Sequence, residues 1–244
     1  MNIDEYLTLA EIEDNLWHAR SRLAHVERVL KRVVSPARPA RVLDAGCGHG
    51  GVMLKLGQRY PNWDWSGLDS SSVACELARK RTGCDVREGS IAALPFPTAS
   101  FEAVVLIDAL CEVEKPETAL AEVFRVLKPG GILVLNMPTR WRAGEAGGRV
   151  FRRRQAHAFL SGAGFHGVQS THWHTLTVPE VWSWKNALSG GRRAGDLKRP
   201  AWPIQLAMRT IMAGEHAWLH AGGRWSWGAY LLAAGRKPLV EDWI

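Results

Sequence analysis

The stretch Val42-Leu43-Asp44-Ala45-Gly46-Cys47-Gly48-His49-Gly50 decides the fold. An apolar run that ends in an acid, crosses four glycines between Gly46 and Gly51, and re-emerges as Val52-Met53-Leu54-Lys55-Leu56 predicts a strand, a tight turn and a helix. Glycine lacks a Cβ and tolerates positive φ, so such a turn brings backbone N–H groups close to a ligand. The following helix points its free N–H groups and positive dipole end at the same place.

Outward from that turn the sequence alternates. Strands are expected over residues 41–44, 63–69, 85–88, 101–108 and 131–137, and helices over 50–59, 71–81 and 116–127, the pattern of a parallel sheet covered by helices. Lys128-Pro129-Gly130-Gly131 breaks the last helix from the last of these strands. Upstream, Leu16, Leu23, Val26, Val29, Leu30 and Val33 recur at three- and four-residue intervals, which predicts an amphipathic helical leader over 4–34, ended by Pro36 and Pro39. Beyond Pro138, Gly, Arg and Trp become frequent and the periodicity fades. A helix over 153–161, a strand over 167–174 and a last strand over 226–234 are expected there. Asp69 closes the second strand about 25 positions after Asp44, where a carboxylate is placed to accept the hydroxyls of a ribose.

Gly46, Gly48 and Gly51 also fit the GxGxxG pattern of dinucleotide-binding proteins, so the glycines alone leave the cofactor open. The wider pattern resembles the class I S-adenosylmethionine-dependent methyltransferases, with matches in order from residue 41 to residue 139. Residues 42–50 are similar to that family's first motif, and Gly67-Leu68-Asp69-Ser70-Ser71 to its second. The segment from Glu88 through Ser90 and Ile91 to Leu94-Pro95-Phe96 is similar to its adenine-covering segment, and residues 100–105 and 126–135 to its fourth and fifth strands. The resemblance implies an α/β, Rossmann-like, doubly wound sheet of seven strands under an N-terminal helical cover at 1–36. The remaining domain, 37–244, divides into a cofactor half at 40–139, an acceptor-side region at 140–223 and a final strand within 224–236. It implies S-adenosyl-L-methionine as cofactor and S-adenosyl-L-homocysteine as product. The cofactor-binding residues carried over are Asp44, Ala45, Gly46, Cys47, Gly48, Gly50, Asp69, Ser70, Ser90, Ile91, Asp108, Ala109 and Leu110. Ser90 stands where relatives often carry Asp, and its hydroxyl can accept the same hydrogen bond. The leader around Trp17 and the basic loop before Ala163-Gly164-Phe165 resemble small-molecule methyltransferases found beside antibiotic and polysaccharide genes.

Composition bounds the rest. The chain has 244 residues, of which 46% are hydrophobic and 23% charged, as expected of a soluble globular protein able to bury a full core. No signal-peptide pattern and no apolar run long enough to cross a bilayer is present in the sequence, so a cytoplasmic protein is expected. Cys47, Cys75, Cys84 and Cys111 lack metal-ligand or disulfide spacing, and no metal is expected. The net charge of +7 permits an acidic partner such as nucleic acid. However, the site after the fourth strand reads Asp108-Ala109-Leu110-Cys111, not the box of enzymes that methylate base amines. A small-molecule acceptor and a monomer or homodimer are therefore expected. The alternatives are a macromolecule-modifying methyltransferase, a nicotinamide-dependent oxidoreductase and a non-catalytic cofactor-binding relative.

A sulfonium methyl is already activated, so transfer needs an acceptor held in line behind it and water kept out. A hydroxyl acceptor would also need a base, for which His157, His172, His174 and Glu112 are candidates. Trp141, Trp173, Trp182, Trp184, Trp202, Trp218, Trp225 and Trp227 are candidates for an aromatic acceptor wall or for core packing. Trp17 could form a lid or core, and Arg149, Arg152, Arg153 and Arg154 are candidates to hold an anionic acceptor.

Overall fold

The computed structural model describes residue 10 and residues 16–139, 150–176 and 202–239. Among the described residues seven strands form one sheet. In chain order they are β1 (Ala40–Ala45), β2 (Trp63–Asp69), β3 (Asp85–Glu88), β4 (Phe101–Ile107), β5 (Leu127–Pro138), β6 (His166–Trp173) and β7 (Tyr230–Arg236). Their spatial order is β3-β2-β1-β4-β5-β7-β6. The first five run parallel, and β7 is antiparallel to both β5 and β6. The order reverses between β1 and β4, which opens a crevice at the carboxyl ends of those strands.

Strands buried on both faces must be apolar at successive positions, and alternate residues then feed different cores. Val42, Val105 and Val134 point into one core with helices α1 (Trp17–Leu30), α2 (Gly51–Arg59), α3 (Ser72–Thr82) and α6 (Trp202–His220). Leu43, Val104 and Leu133 point into the other, with α4 (Pro116–Val126) and α5 (Arg153–Gly162). Pro116 begins α4, where its missing N–H costs nothing. Among the described residues no helix is long and apolar enough to cross a membrane.

Several boundaries differ from those the sequence suggests. Strand β5 begins at Leu127, which pairs with Phe101 before the register shifts; the expected break at Lys128 to Gly131 is an irregularity inside the strand, with Gly130 at φ +76°. Strand β7 begins at Tyr230 instead of residue 226. A Cβ on Gly228 would lie 2.5 Å from the Trp173 carbonyl oxygen, so the chain there passes under β6 before it can enter the ladder. At the end of β6, His174 leaves the strand at φ +57°.

The leader helix is described over Trp17–Leu30, with the start expected at residue 4 outside the described residues. Helix α6 has no counterpart in the sequence reading. Its inward face carries Met212, Glu215, His216 and Leu219, at helical spacing but half polar, so it does not read as an apolar stripe. Polar partners on α1 explain this: Ser21 Oγ lies 3.0 Å from His216 Nε2, and the His25 and His216 rings are 4.2 Å apart. Burial, with neighbouring His216, Arg28 and His220, holds His25 well below its ordinary pKa, so a neutral imidazole packs there.

Candidate active site

Asp44 occupies the next-to-last position of β1, opposite Gly67 on one side and Val105 on the other. Enclosure on both flanks leaves it 2% exposed, and Oδ1 has no hydrogen-bond partner among the described residues. Burial pushes this carboxyl up to about 7; Arg22 and His49 pull it down and Asp69 pushes it further up. A buried carboxylate oxygen without a donor is costly, unless a ligand supplies one.

The turn after Asp44 is fastened to β2. Gly46 and Cys47 both donate their N–H to the Leu68 carbonyl, at 2.7 and 2.9 Å. Gly46 sits at φ +83°, and a Cβ there would lie 2.3 Å from the Ala109 Cβ, so the turn and the segment after β4 are in contact. Gly48, at φ +52°, differs: nothing lies within 4 Å of where its Cβ would stand, and its N–H donates to Asp69 Oδ2 at 2.8 Å. Asp69 Oδ1 accepts from Ser71 N–H at 3.0 Å, which leaves the carboxylate's remaining lone pairs for hydroxyl donors. Arg81 holds His49 by donating to its carbonyl at 2.7 Å.

Asp108 follows β4 in the left-handed region, φ 60° and ψ −14°, a conformation that costs a non-glycine residue about 1–3 kcal/mol. Asn136 on β5 holds it there. Asp108 N–H donates to the Asn136 carbonyl at 2.8 Å, and Asn136 Nδ2 donates to Asp108 Oδ1 at 3.0 Å. Asn136 Oδ1 in turn accepts from Trp173 Nε1 at 2.9 Å, and Arg22 of α1 approaches Asp108 Oδ2 to 3.6 Å.

Together these elements enclose a cleft of about 680 Å³. Its lining includes Gly46, Gly48, Asp69, Ser70, Ser90, Ile91, Asp108, Ala109 and Glu112, so the structure brings most of the sequence-selected residues to one place. Ser90 Oγ accepts from Ala92 N–H at 3.2 Å, which shapes the loop after β3. Ala45, Cys47 and Leu110 put their side chains into the cores, and only their backbone borders the turn region. Burial, reinforced by Asp44 and Asp69, pushes the Cys47 thiol far up, which keeps it neutral. Gly50 caps α2 at φ +76°, with Ala78 and Thr82 of α3 about 3 Å from where its Cβ would stand.

Of the four candidate bases, Glu112 alone lines this cleft. His157 lies against Ser170 Oγ at 2.7 Å, and His172 Nδ1 lies 3.2 Å from the Trp225 carbonyl. Burial lowers the His172 pKa. His174 is fully buried and stacks on Trp17 with ring centroids 4.8 Å apart, which places both rings in the packing between leader and sheet. Trp173 is a core residue stacked on Tyr230, whereas Trp218 and Trp227 are about half exposed. Arg153 donates to Ser170 Oγ at 3.0 Å, away from the cleft lining. Trp141, Trp182, Trp184 and Arg149 lie outside the described residues. Sequence reasoning did not select Arg22 or Asn136 as site residues, because both reach Asp108 only through the fold.

Comparison with known proteins agrees with this geometry. A family model described as a methyltransferase domain matches residues 43–135. A fatty-acid O-methyltransferase of Mycolicibacterium smegmatis is 36% identical over 94 residues, covering 37% of this chain and 34% of the relative. A demethylmenaquinone methyltransferase of Thermus thermophilus is 37% identical over 102 residues, covering 40% and 46%. The chain spans about a third to a half of the length of the curated relatives it matches. Among solved structures, the [4+2]-cyclase SpnF superposes with a TM-score of 0.63 at 23% identity, covering 91% of this chain and 83% of that one. At that identity the likeness concerns the fold. Residues 43–135, which hold the glycine turn and both acids, are thus similar to a methyltransferase domain.

Proposed function

We propose that this chain, on the premise of that domain, methylates a small-molecule acceptor by direct displacement. The observation that carries the reading is the buried Asp44 Oδ1 without a donor, beside the open space at Gly48 and the Asp69 carboxylate. These residues fit S-adenosylmethionine: Asp44 would receive the ammonium of the methionine part, Asp69 the ribose hydroxyls, and Ile91 with Ser90 the adenine. Bound there, that cofactor supplies an activated sulfonium methyl. The protein's own contribution is position. Asp108, held by Asn136, and Ala109 would border the methionine end and so fix where an acceptor can approach.

Glu112 would take the proton from a hydroxyl acceptor; its position in the cleft lining, where none of the three histidines lies, supports that reading. An amine or an acidic phenol would transfer without it. The small-molecule class draws support from relatives named for fatty acid and demethylmenaquinone substrates. Biosynthesis of a specialised metabolite is the setting that suits it.

Two measurements test the reading. Calorimetry with S-adenosylmethionine, S-adenosylhomocysteine and NAD should show binding of the first two; binding of NAD alone would overturn it. Incubation with methyl-labelled cofactor and separate pools of small hydroxyl, carboxyl and amine acceptors and of RNA should label a small acceptor. Label confined to RNA would replace the small-molecule assignment.

A further inference from the structure

Away from the cofactor cleft, a smaller cleft of about 130 Å³ opens where the end of α1 faces β6, β7 and the loop after α6. The two clefts share no lining residue. The lining of the smaller one carries Arg28, Arg32 and Arg224, with Gln169, Ser170 and Thr171 of β6, and no acid. Arg28 and Arg32 stand four residues apart on α1 and the turn that ends it, so they share a face. Arg32 donates to Gln169 Oε1 at 3.3 Å, which leaves the Gln169 amide donors for another group. Trp225 N–H donates to Thr171 Oγ1 at 3.2 Å and so fastens the loop that carries Arg224 to β6.

Like charges at this spacing repel, and a cation drawn partly out of water is normally paired. These are not. Among the described residues none of the three arginines forms an ion pair. Arg28 is half-buried; burial and then Arg32 lower its pKa, and no acid acts against them. His25 and His216, which both feel Arg28, are bases as well. Nor does the end of α1 need these cations, since Arg32, Val33 and Val34 already donate their N–H groups to the Val29 and Leu30 carbonyls. We propose that this cleft is a second ligand site, which binds a phosphate monoester group. Such a dianion supplies the missing counter-charge and accepts from guanidinium forks and the Gln169 amide together. The cleft suits one such group, and its arginines converge on a recess instead of forming the stripe that a nucleic-acid backbone requires. A phosphate held there bridges α1, β6 and the loop after α6, and so tightens the leader on the sheet.

The test titrates inorganic phosphate and pyrophosphate calorimetrically into the full chain, with ionic strength held constant by chloride. The wild type should bind saturably. Arg28→Gln and Arg224→Gln should each weaken binding about tenfold or more. Arg38→Gln removes the same charge at an exposed position outside the cleft and should change binding by no more than about twofold. Without anion, Arg28→Gln and Arg32→Gln should keep or raise Tm, because each relieves repulsion and breaks no ion pair; phosphate should raise Tm in the wild type and not in Arg28→Gln. Sedimentation with vesicles of phosphatidylcholine and phosphatidic acid distinguishes the sources of the group. Vesicle binding that Arg28→Gln abolishes, alongside phosphate binding, assigns it to a lipid headgroup, and phosphate binding without vesicle binding assigns it to a soluble ester. No saturable binding of either anion, an equal loss in Arg38→Gln, or binding confined to a short RNA would overturn the site.

Discussion

Replacing Asp44 by Asn should make the protein more stable and less able to bind its cofactor, and the gain should depend on pH. The side chain keeps its shape and loses its charge. In the folded protein the carboxyl titrates at about 7 against an ordinary 3.8, chiefly because it is buried. Since the folded value is raised, the group favours folding fully only below pH 3.8; that contribution is lost as pH rises toward 7 and stays lost above it. Moving a carboxyl over that interval corresponds to about 4 kcal/mol, at 1.36 kcal/mol per pH unit. The stability difference between Asp44→Asn and wild type should therefore grow by about 2–4 kcal/mol between pH 4 and pH 8, or several degrees in Tm for a chain of this size. Urea unfolding of both proteins at pH 4, 5, 6, 7 and 8 measures it. A difference that stays constant across that series would refute the idea that Asp44 is a strained, ligand-seeking carboxylate. Calorimetry closes the case: affinity for S-adenosylmethionine should rise with pH toward 7 as Asp44 ionises, until the cofactor's own ammonium begins to titrate near 8.

Two glycines of the turn should separate fold from binding. Gly46→Ala meets Ala109 at 2.3 Å and should cost about 2–4 kcal/mol in urea unfolding, while Gly48→Ala has free space, should cost about 1–2 kcal/mol, and should lose at least tenfold in cofactor affinity. Asp69→Ala should weaken S-adenosylmethionine by about 1–3 kcal/mol, measured calorimetrically, because it removes ribose contacts and frees the N–H groups of Gly48 and Ser71. For a hydroxyl acceptor, Glu112→Gln should lower turnover about 100-fold with cofactor affinity intact, whereas His157→Ala and His172→Ala should leave turnover within a few-fold; the reverse ranking in a steady-state assay would move the base to β6 or α5.

The cofactor half was legible because its signals are local. Asp44, the glycines and Asp69 announce themselves through strand, turn and helix grammar within a short window, and the parallel order of β1 to β5 follows from their alternation with helices. The distal part was less legible. Helix α6 hides its inward face behind Glu215 and His216, which are acceptable there only because Ser21, His25 and Thr175 come from elsewhere to meet them. The same holds for the histidines at 157, 172 and 174: as residue types they suit a base, yet packing against Ser170, Trp225 and Trp17 takes them away from the cleft lining.

The sequence by itself determined the glycine turn, the two acids that flank it and the class of sheet, since each depends on residues a few positions apart. Tertiary structure alone decided which charged and polar groups meet at the carboxyl end of the sheet. Arg22, Asp44, Asp108 and Asn136 come from four elements separated by long stretches of chain, and only closure of the sheet, with α1 laid across it, brings their charges within reach of one another.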